Sequence, residues 1–395
     1  MVCGAPPVAA AGLSLAAVLQ AAIKGSAPAL PKHHWRILNA LFACRTPALG
    51  GHRYRCLECG ETHFVPHSCR NRHCPVCQGQ AARDWLDKQE GALLPVPYFH
   101  LVFTLPHVLN PLIQQNQRAL YTLLFCAAGQ TLLEFGQNRF QAQLGITAVL
   151  HTWSQTLLDH YHLHCIVTGG GLSEDGARWV SAPGHYLFAV RALSSVFRGK
   201  FCAGLEQLYA EGKLEFHGQL EPLAQAGPFQ ALLRQAARQK WVVYAKRPFA
   251  GPRQVLAYLS RYTHRVAIST RRLLALDEQK RTVTFSWKDY AHGARRTTMT
   301  LKLEEFLRRF CLHLLPSRFV KIRHFGFLSN RRRQTRVAQA RALLGEARPP
   351  AQPDPDVPKE PKAARVCPHC GSSQLMLVEV LAPWRPARPP PLDSS

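Results

Sequence analysis

Two Cys-x-x-Cys pairs, Cys56–Cys59 and Cys74–Cys77, sit fourteen residues apart in a stretch with little else to fold around. Cys44, Cys69, His52, His63, His67 and His73 crowd the same region, and large apolar side chains are few. A Cys-x-x-Cys turn lets two thiolates converge on one tetrahedral ion, and a second turn completes the shell. Where no self-supporting core can form, the metal supplies the folding free energy. The expected zinc set is therefore Cys56, Cys59, Cys74 and Cys77, against the competing reading of merely buried or redox cysteines. Cys44 and Cys69, with one or two of His52, His67 and His73, leave ligands for a second Zn2+. Cys367 and Cys370 form a further half-site with no obvious second half.

Charge narrows the class of partner. Lys and Arg number 49 against 24 Asp and Glu, a net charge of +25. Such an excess favours a polyanion, nucleic acid first and an anionic membrane surface second, over a merely basic soluble protein. The opening "MVCGAPPVAAAGLSLAAVLQAAIKG" lacks the basic residues that precede the apolar run of a signal peptide. No stretch reaches the roughly 18 uninterrupted apolar residues of a membrane span. A reducing, cytoplasmic setting without membrane attachment is expected, where clustered cysteines bind metal rather than pair as disulfides.

The chain divides by pattern. Residues 1–30 read as a poorly ordered or partly helical lead-in and 31–92 as a zinc-binding domain opened by a helix over "HHWRILNALFAC" and closed by another over "GQAARDWLDKQEGALL". Residues 93–345 form the main domain. There "YFHLVFTLP" alternates as a strand stopped by Pro106, residues 108–140 read as helical, and "ITAVLHTW" and "YHLHCIVTGG" form a candidate hairpin. Further strands are expected at "KWVVYAKRPF", "RVAIST" and "TVTFSWKDYA". Residues 346–366 are a Pro-rich linker, 367–380 a small Cys-x-x-Cys element and 381–395 a disordered tail.

Within the hairpin, His160, His162 and His164 share one face, because strand side chains alternate with a period of two. His162 and His164 stand about 7 Å apart, close enough to grip one divalent cation. An isolated His-x-His is more often a pair of satisfied core histidines. About a hundred residues later, "GPRQVLAYLSRYTHRVAIS" places Tyr258 and Tyr262 four apart on one helical face, which by itself is also what an apolar stripe would look like. Arg261, His264 and Arg265 flank the second tyrosine and suit a phosphate. A phenol beside a metal-polarised phosphodiester can act as a nucleophile.

This combination resembles the HUH endonucleases (two histidines around one hydrophobic residue, then a nucleophilic tyrosine). More narrowly it resembles the rolling-circle transposases of bacterial insertion sequences, the insertion-sequence-ninety-one group, which carry an N-terminal zinc-binding domain. The matching stretches are "CRTPALGGHRYRC", "SCRNRHCPVCQ", "YFHLVFTLPH", "AVLHTWSQTL", "HLHCIVTGGG", "YLSRYTHRVAIS", "SWKDYAHG" and "FVKIRHFGFLSNRRR", collinear with the family over roughly residues 35–335. The resemblance implies an α+β fold, an HUH endonuclease-like antiparallel sheet flanked by helices and preceded by a small zinc-binding domain. It assigns His162 and His164 to a divalent ion, Mg2+ or Mn2+, and Tyr258 and Tyr262 to nucleophilic attack through 5′-phosphotyrosine. It implies single-stranded DNA, transposon ends and target, as the partner, in the bacterial cytoplasm at the nucleoid. For a third metal ligand the residues offer Gln254, His160 and His100, in that order. Two other readings stand beside it: a non-catalytic zinc-dependent DNA-binding protein on this fold, and a rolling-circle replication initiator.

A second DNA contact is expected downstream. From Phe306 to Gly345 there is no Asp or Glu, while Arg and Lys total ten. Arg318, Lys321, Arg323, Arg331, Arg332 and Arg333 interleave there with Phe319, Phe325 and Phe327. Basic groups would hold phosphates and exposed rings would stack on unpaired bases, unless the rings belong to the core.

Overall fold

The computed structural model describes residues 13–24, 29–90, 93–182, 187–249, 255, 263–290, 292–345 and 365–383. Tyr258, Tyr262, Gln254 and Arg261 lie outside the described residues, as do most of the Pro-rich linker and the end of the tail.

The described helices are α1 (Leu15–Ile23), α2 (Lys32–Phe42), α3 (Pro75–Glu90), α4 (Asn110–Gln115), α5 (Gln117–Phe140), α6 (Val190–Ala210), α7 (Ala226–Arg238), α8 (Leu303–Cys311) and α9 (Arg333–Leu343). The strands are β1 (Gly51–Cys56), β2 (Thr62–Pro66), β3 (Tyr98–Thr104), β4 (Ala142–Trp153), β5 (Asp159–Ser173), β6 (Trp179–Ser181), β7 (Val242–Phe249), β8 (Leu273–Asp277), β9 (Thr282–Asp289), β10 (Arg295–Lys302), β11 (Ile322–Gly326) and β12 (Leu375–Leu381). They form three sheets, of order β12-β1-β2, β10-β9-β8 and β11-β4-β5-β3-β7, with β6 added beside β5. The described pairings are antiparallel, so the fold is α+β.

The central sheet follows the alternation of its strands. On β5, Tyr161, Leu163, Cys165 and Val167 enter the main core, as do Phe99, Leu101 and Phe103 of β3 and Ile146, Ala148 and Leu150 of β4. Helices α4 to α7 cover this face. The helix α5 has the length and composition to cross a membrane, yet Leu120, Leu124, Phe125, Ala128 and Leu132 along it are buried in this core. The even-numbered side chains of β5, histidines included, are left on the opposite face.

The lead-in is partly helical: it contains α1, whose Leu15, Val18, Leu19 and Ala22 recur at helical spacing and pack into a second core with α8 and the β8–β10 sheet. Two sequence expectations change. "RVAIST" is not a strand but a bend running into a short 3-10 turn at Thr270–Arg272. The Cys367 element does not stand alone: β12 pairs with β1, Cys56 opposite Leu375 and Gly51 opposite Leu381.

Two details carry stability. Gly326 closes β11 at φ +63°, where an added Cβ would meet the carbonyl oxygen of Leu144. Gly326→Ala is expected to destabilise the chain by roughly 1–3 kcal/mol, as a drop in thermal midpoint. His313 is buried between Leu157 O, 2.9 Å from its Nε2, and the Thr152 hydroxyl, 3.2 Å from its Nδ1. Burial holds its pKa down to about 4. The unfolded histidine binds a proton near pH 6.5 and the native one does not, so its stability is complete above pH 6.5 and lost between there and pH 4. The thermal midpoint should fall from pH 7 to pH 5, and His313→Gln should flatten that slope.

Candidate active site

The histidines converge because of strand register. In the β4–β5 hairpin His151 stands directly opposite His162, and Val149 opposite His164. The ligand atoms of His151, His162 and His164 all lie within 4.8 Å of one another. Ring centroids are 5.4 Å apart for His151 and His162, 4.6 Å for His151 and His164, and 4.9 Å for His162 and His164. All three are nearly enclosed, at 2% to 9% exposure.

The partners of the rings decide which nitrogens remain. His162 Nδ1 donates to the carbonyl of His160 at 2.7 Å, which leaves Nε2 free to ligate. His164 Nδ1 lies 2.9 Å from His100 Nε2, with the rings nearly parallel at 11°. Burial, then the neighbouring His160, pulls the His162 pKa down to about 3. Burial, then His151 and His162, holds His164 well below its ordinary value. Neutral imidazoles are what a divalent cation requires as ligands. The donor set therefore fits a metal.

Of the candidates for a third ligand, Gln254 lies outside the described residues. His160 sits on the same face but against His107, ring centroids 5.6 Å apart, and supplies its carbonyl to His162. His100 orients His164 rather than joining the cluster, as ligand-supporting groups commonly do. The third imidazole is His151, which sequence reasoning did not single out although it lies in "AVLHTWSQTL".

Beside the cluster opens a cleft of ≈ 480 Å³ lined by His151, His160, Trp153, Arg265, Trp287 and Tyr290. Tyr290 is 66% exposed, and the Lys288 ammonium sits 5.3 Å from its ring centroid. The cleft thus offers aromatic faces and two cations next to the three imidazoles. Lys321 Nζ contacts the Arg265 carbonyl at 3.5 Å, and burial, then Arg72, lowers its pKa to about 8. His264 bonds the Thr263 hydroxyl at 3.0 Å, and burial, then Lys321, lowers its pKa to about 4.

The downstream basic stretch splits. Arg318, Arg331 and Arg332 are exposed, while Arg323 lies over Phe125 at 4.5 Å and Phe319 at 5.2 Å, and Arg333 is half-buried at the start of α9. Phe319 and Phe327 are core residues, 2% and 1% exposed, so neither ring is available for stacking. Phe325 is half-buried against the main core.

The cysteines regroup as well. Cys74 and Cys77 meet Cys44 and Cys69, not Cys56 and Cys59. Three of their Sγ separations, Cys44–Cys77, Cys69–Cys77 and Cys44–Cys74, are 3.6 Å. Thiolates about 2.3 Å from a tetrahedral Zn2+ stand about 3.8 Å apart, so this group fits a structural zinc site. Cys56 and Cys59 are brought instead to Cys367 and Cys370. His73 joins neither group; its Nε2 accepts from the Leu315 amide at 3.3 Å, and burial holds its pKa down to about 3.

The division of labour among the histidines is measurable by titrating Mn2+ against the protein. His100→Ala should weaken binding about 10–100-fold, as loss of a ligand's orienting partner does. His151→Ala removes a ligand and should weaken it further.

A family model described as "Putative transposase" matches residues 145–336, and one described as "Transposase zinc-binding domain" matches residues 17–105. The "Putative transposase y4qJ" of Sinorhizobium fredii (strain NBRC 101917 / NGR234) is 44% identical over 356 residues, which cover 87% of this chain and 89% of that one. The "Transposase for insertion sequence element IS801" of Pseudomonas savastanoi pv. phaseolicola is 31% identical over 299 residues, covering 74% and 70%. Among solved structures, a metal-bound conjugative relaxase TrwC in complex with oriT DNA matches at 13% identity and a TM-score of 0.25, covering 60% of this chain and 95% of that one. That overlap is too slight to carry a fold from one chain to the other. The sequence relatives suffice: the chain belongs to the insertion-sequence transposases of the insertion-sequence-ninety-one group, which join a transposase zinc-binding domain to this catalytic domain.

Proposed function

We propose that this transposase cuts and rejoins single-stranded DNA by HUH-type chemistry, moving its element by a rolling-circle route in the bacterial cytoplasm, at the nucleoid. The observation that carries this reading is the cluster of three buried imidazoles, His151, His162 and His164, on the sheet face that also receives Val255. Val255 is helical and fully buried in a cluster with Tyr98 and Ile166, and Ile166 is two residues beyond His164 on that face. In the sequence Tyr258 and Tyr262 follow Val255 by three and seven residues, a spacing that suits one helical face.

His151, His162 and His164 would hold a divalent ion, Mn2+ by ligand softness or Mg2+ by abundance, which would supply Lewis-acid chemistry toward the scissile phosphate. The phenol oxygen of one tyrosine attacks phosphorus and loses its proton. The bond from phosphorus to the 3′ oxygen breaks, and that oxygen leaves as a hydroxyl once protonated. The 5′ end stays esterified to tyrosine, so rejoining requires no ATP. The second tyrosine cuts another strand while the first remains attached. Arg265 and Lys288 neutralise backbone phosphates in the cleft, where Trp287 and Tyr290 offer faces to unpaired bases. Arg318, Arg331 and Arg332 extend the basic surface.

The test is a denaturing gel of protein incubated with Mn2+ and single-stranded oligonucleotides carrying the element's ends. A covalent protein–DNA band should form with wild type, be lost in the Tyr258→Phe/Tyr262→Phe double variant and be lost in His162→Ala. Tight binding without any band would support the non-catalytic DNA-binding alternative. A band on replication-origin hairpins but not on element ends would support an initiator.

A further inference from the structure

The structure assigns Cys56, Cys59, Cys367 and Cys370 to a second Zn2+ site, built from both ends of the chain, that clamps the C-terminal segment onto the N-terminal zinc-binding domain. The matched zinc-binding domain ends at residue 105, so half of these ligands lie far outside it. All four Sγ atoms fall within 4.8 Å of one another, with Cys56–Cys370 at 3.5 Å and Cys59–Cys367 at 3.7 Å. Those separations are far beyond the roughly 2.05 Å of a disulfide and near the edge of a zinc tetrathiolate tetrahedron.

The two halves have the same local build. Each is a Cys-x-x-Cys-Gly turn in which the glycine amide returns to the first cysteine's carbonyl, Gly60 to Cys56 at 3.0 Å and Gly371 to Cys367 at 2.9 Å. Both glycines adopt positive φ, +74° and +76°, a conformation that costs other residues dearly. Two such knuckles facing each other make a zinc ribbon. The Leu57 amide bonds the Gln374 carbonyl at 2.9 Å, joining the knuckles to the ladder of β1 and β12.

Among the described residues, little else holds the C-terminal segment in place beyond Arg365 against the Tyr54 ring. On β12, Met376, Leu377, Val378 and Val380 are 47% to 60% exposed, so apolar burial contributes little to its docking. The ion pair of Arg53 and Glu379 is half-exposed at 2.7 Å, a class of contact worth little. A single edge ladder in a three-stranded sheet is marginal without a packed face. Metal binding supplies the missing free energy, and the catalytic domain becomes an insertion between two halves of one ribbon.

Zinc content of the full chain, by elemental mass spectrometry, is the first readout. Wild type should carry one more equivalent of zinc than the Cys367→Ser/Cys370→Ser variant. The second readout inserts a specific protease site between Pro353 and Pro358 of the full chain. After cleavage the C-terminal fragment should stay bound through gel filtration and leave only when a strong zinc chelator is added. A double variant with the zinc content of wild type, or a fragment that parts without chelator, overturns the proposal.

Discussion

The pairing of β4 with β5 is the constraint on which the candidate active site rests. Each strand alternates, so every second residue is committed to the main core and the rest to the opposite face. Leu163 and Cys165 are held inside by that core, which leaves His162 and His164 no choice of side. The hairpin then decides what stands opposite them. Its register carries an irregularity between His151 and Trp153: Trp153 pairs with Asp159, but His151 pairs with His162. Without that one-residue shift, His151 would face Tyr161, a core residue. A bulge in a hairpin thus assembles a three-histidine cluster.

Burial shapes the chemistry that this register permits. Burial this deep penalises a charged imidazole and holds His162 and His164 well below the ordinary histidine range. His160 and His100 occupy one nitrogen each of His162 and His164, which settles the orientation of the others. The adjoining cleft carries two cations, Arg265 and Lys288, and the aromatic rings of Trp287 and Tyr290 against one carboxylate, Asp159. An anionic polymer with exposed bases complements such a lining better than a neutral metabolite does.

The zinc-binding region obeys a different economy. Around Cys44, Cys69, Cys74 and Cys77 the thiolates adjoin a true apolar core, shared with α1, α2 and α8. Around Cys56 and Cys59 there is a three-stranded sheet whose outer strand exposes most of its apolar side chains. The first group ties the start of the chain to the sheet of β8–β10, and the second ties it to the far end.

Local features of the fold were legible in the residues themselves. Alternation marked β3, β4, β5, β7 and β9, helical spacing marked α2 and α3, and the collinear motifs marked the family. The His162–His164 pair follows from a period of two, a property of one strand. Whatever joins separate segments was not legible. Cysteine spacing suggested Cys56 and Cys59 beside Cys74 and Cys77, yet ligand sets are decided by which turns meet in space, and Cys367 lies 308 positions beyond Cys59. The rings of Phe319 and Phe327 could be surface or core by pattern alone, and packing put them in the core. His151 carried no motif, because its role depends on a shift in strand register. Local chemistry is written in short-range periodicity and determines which residues can act; tertiary structure decides which act together, because convergence depends on register, bulges and long-range packing that no local pattern encodes.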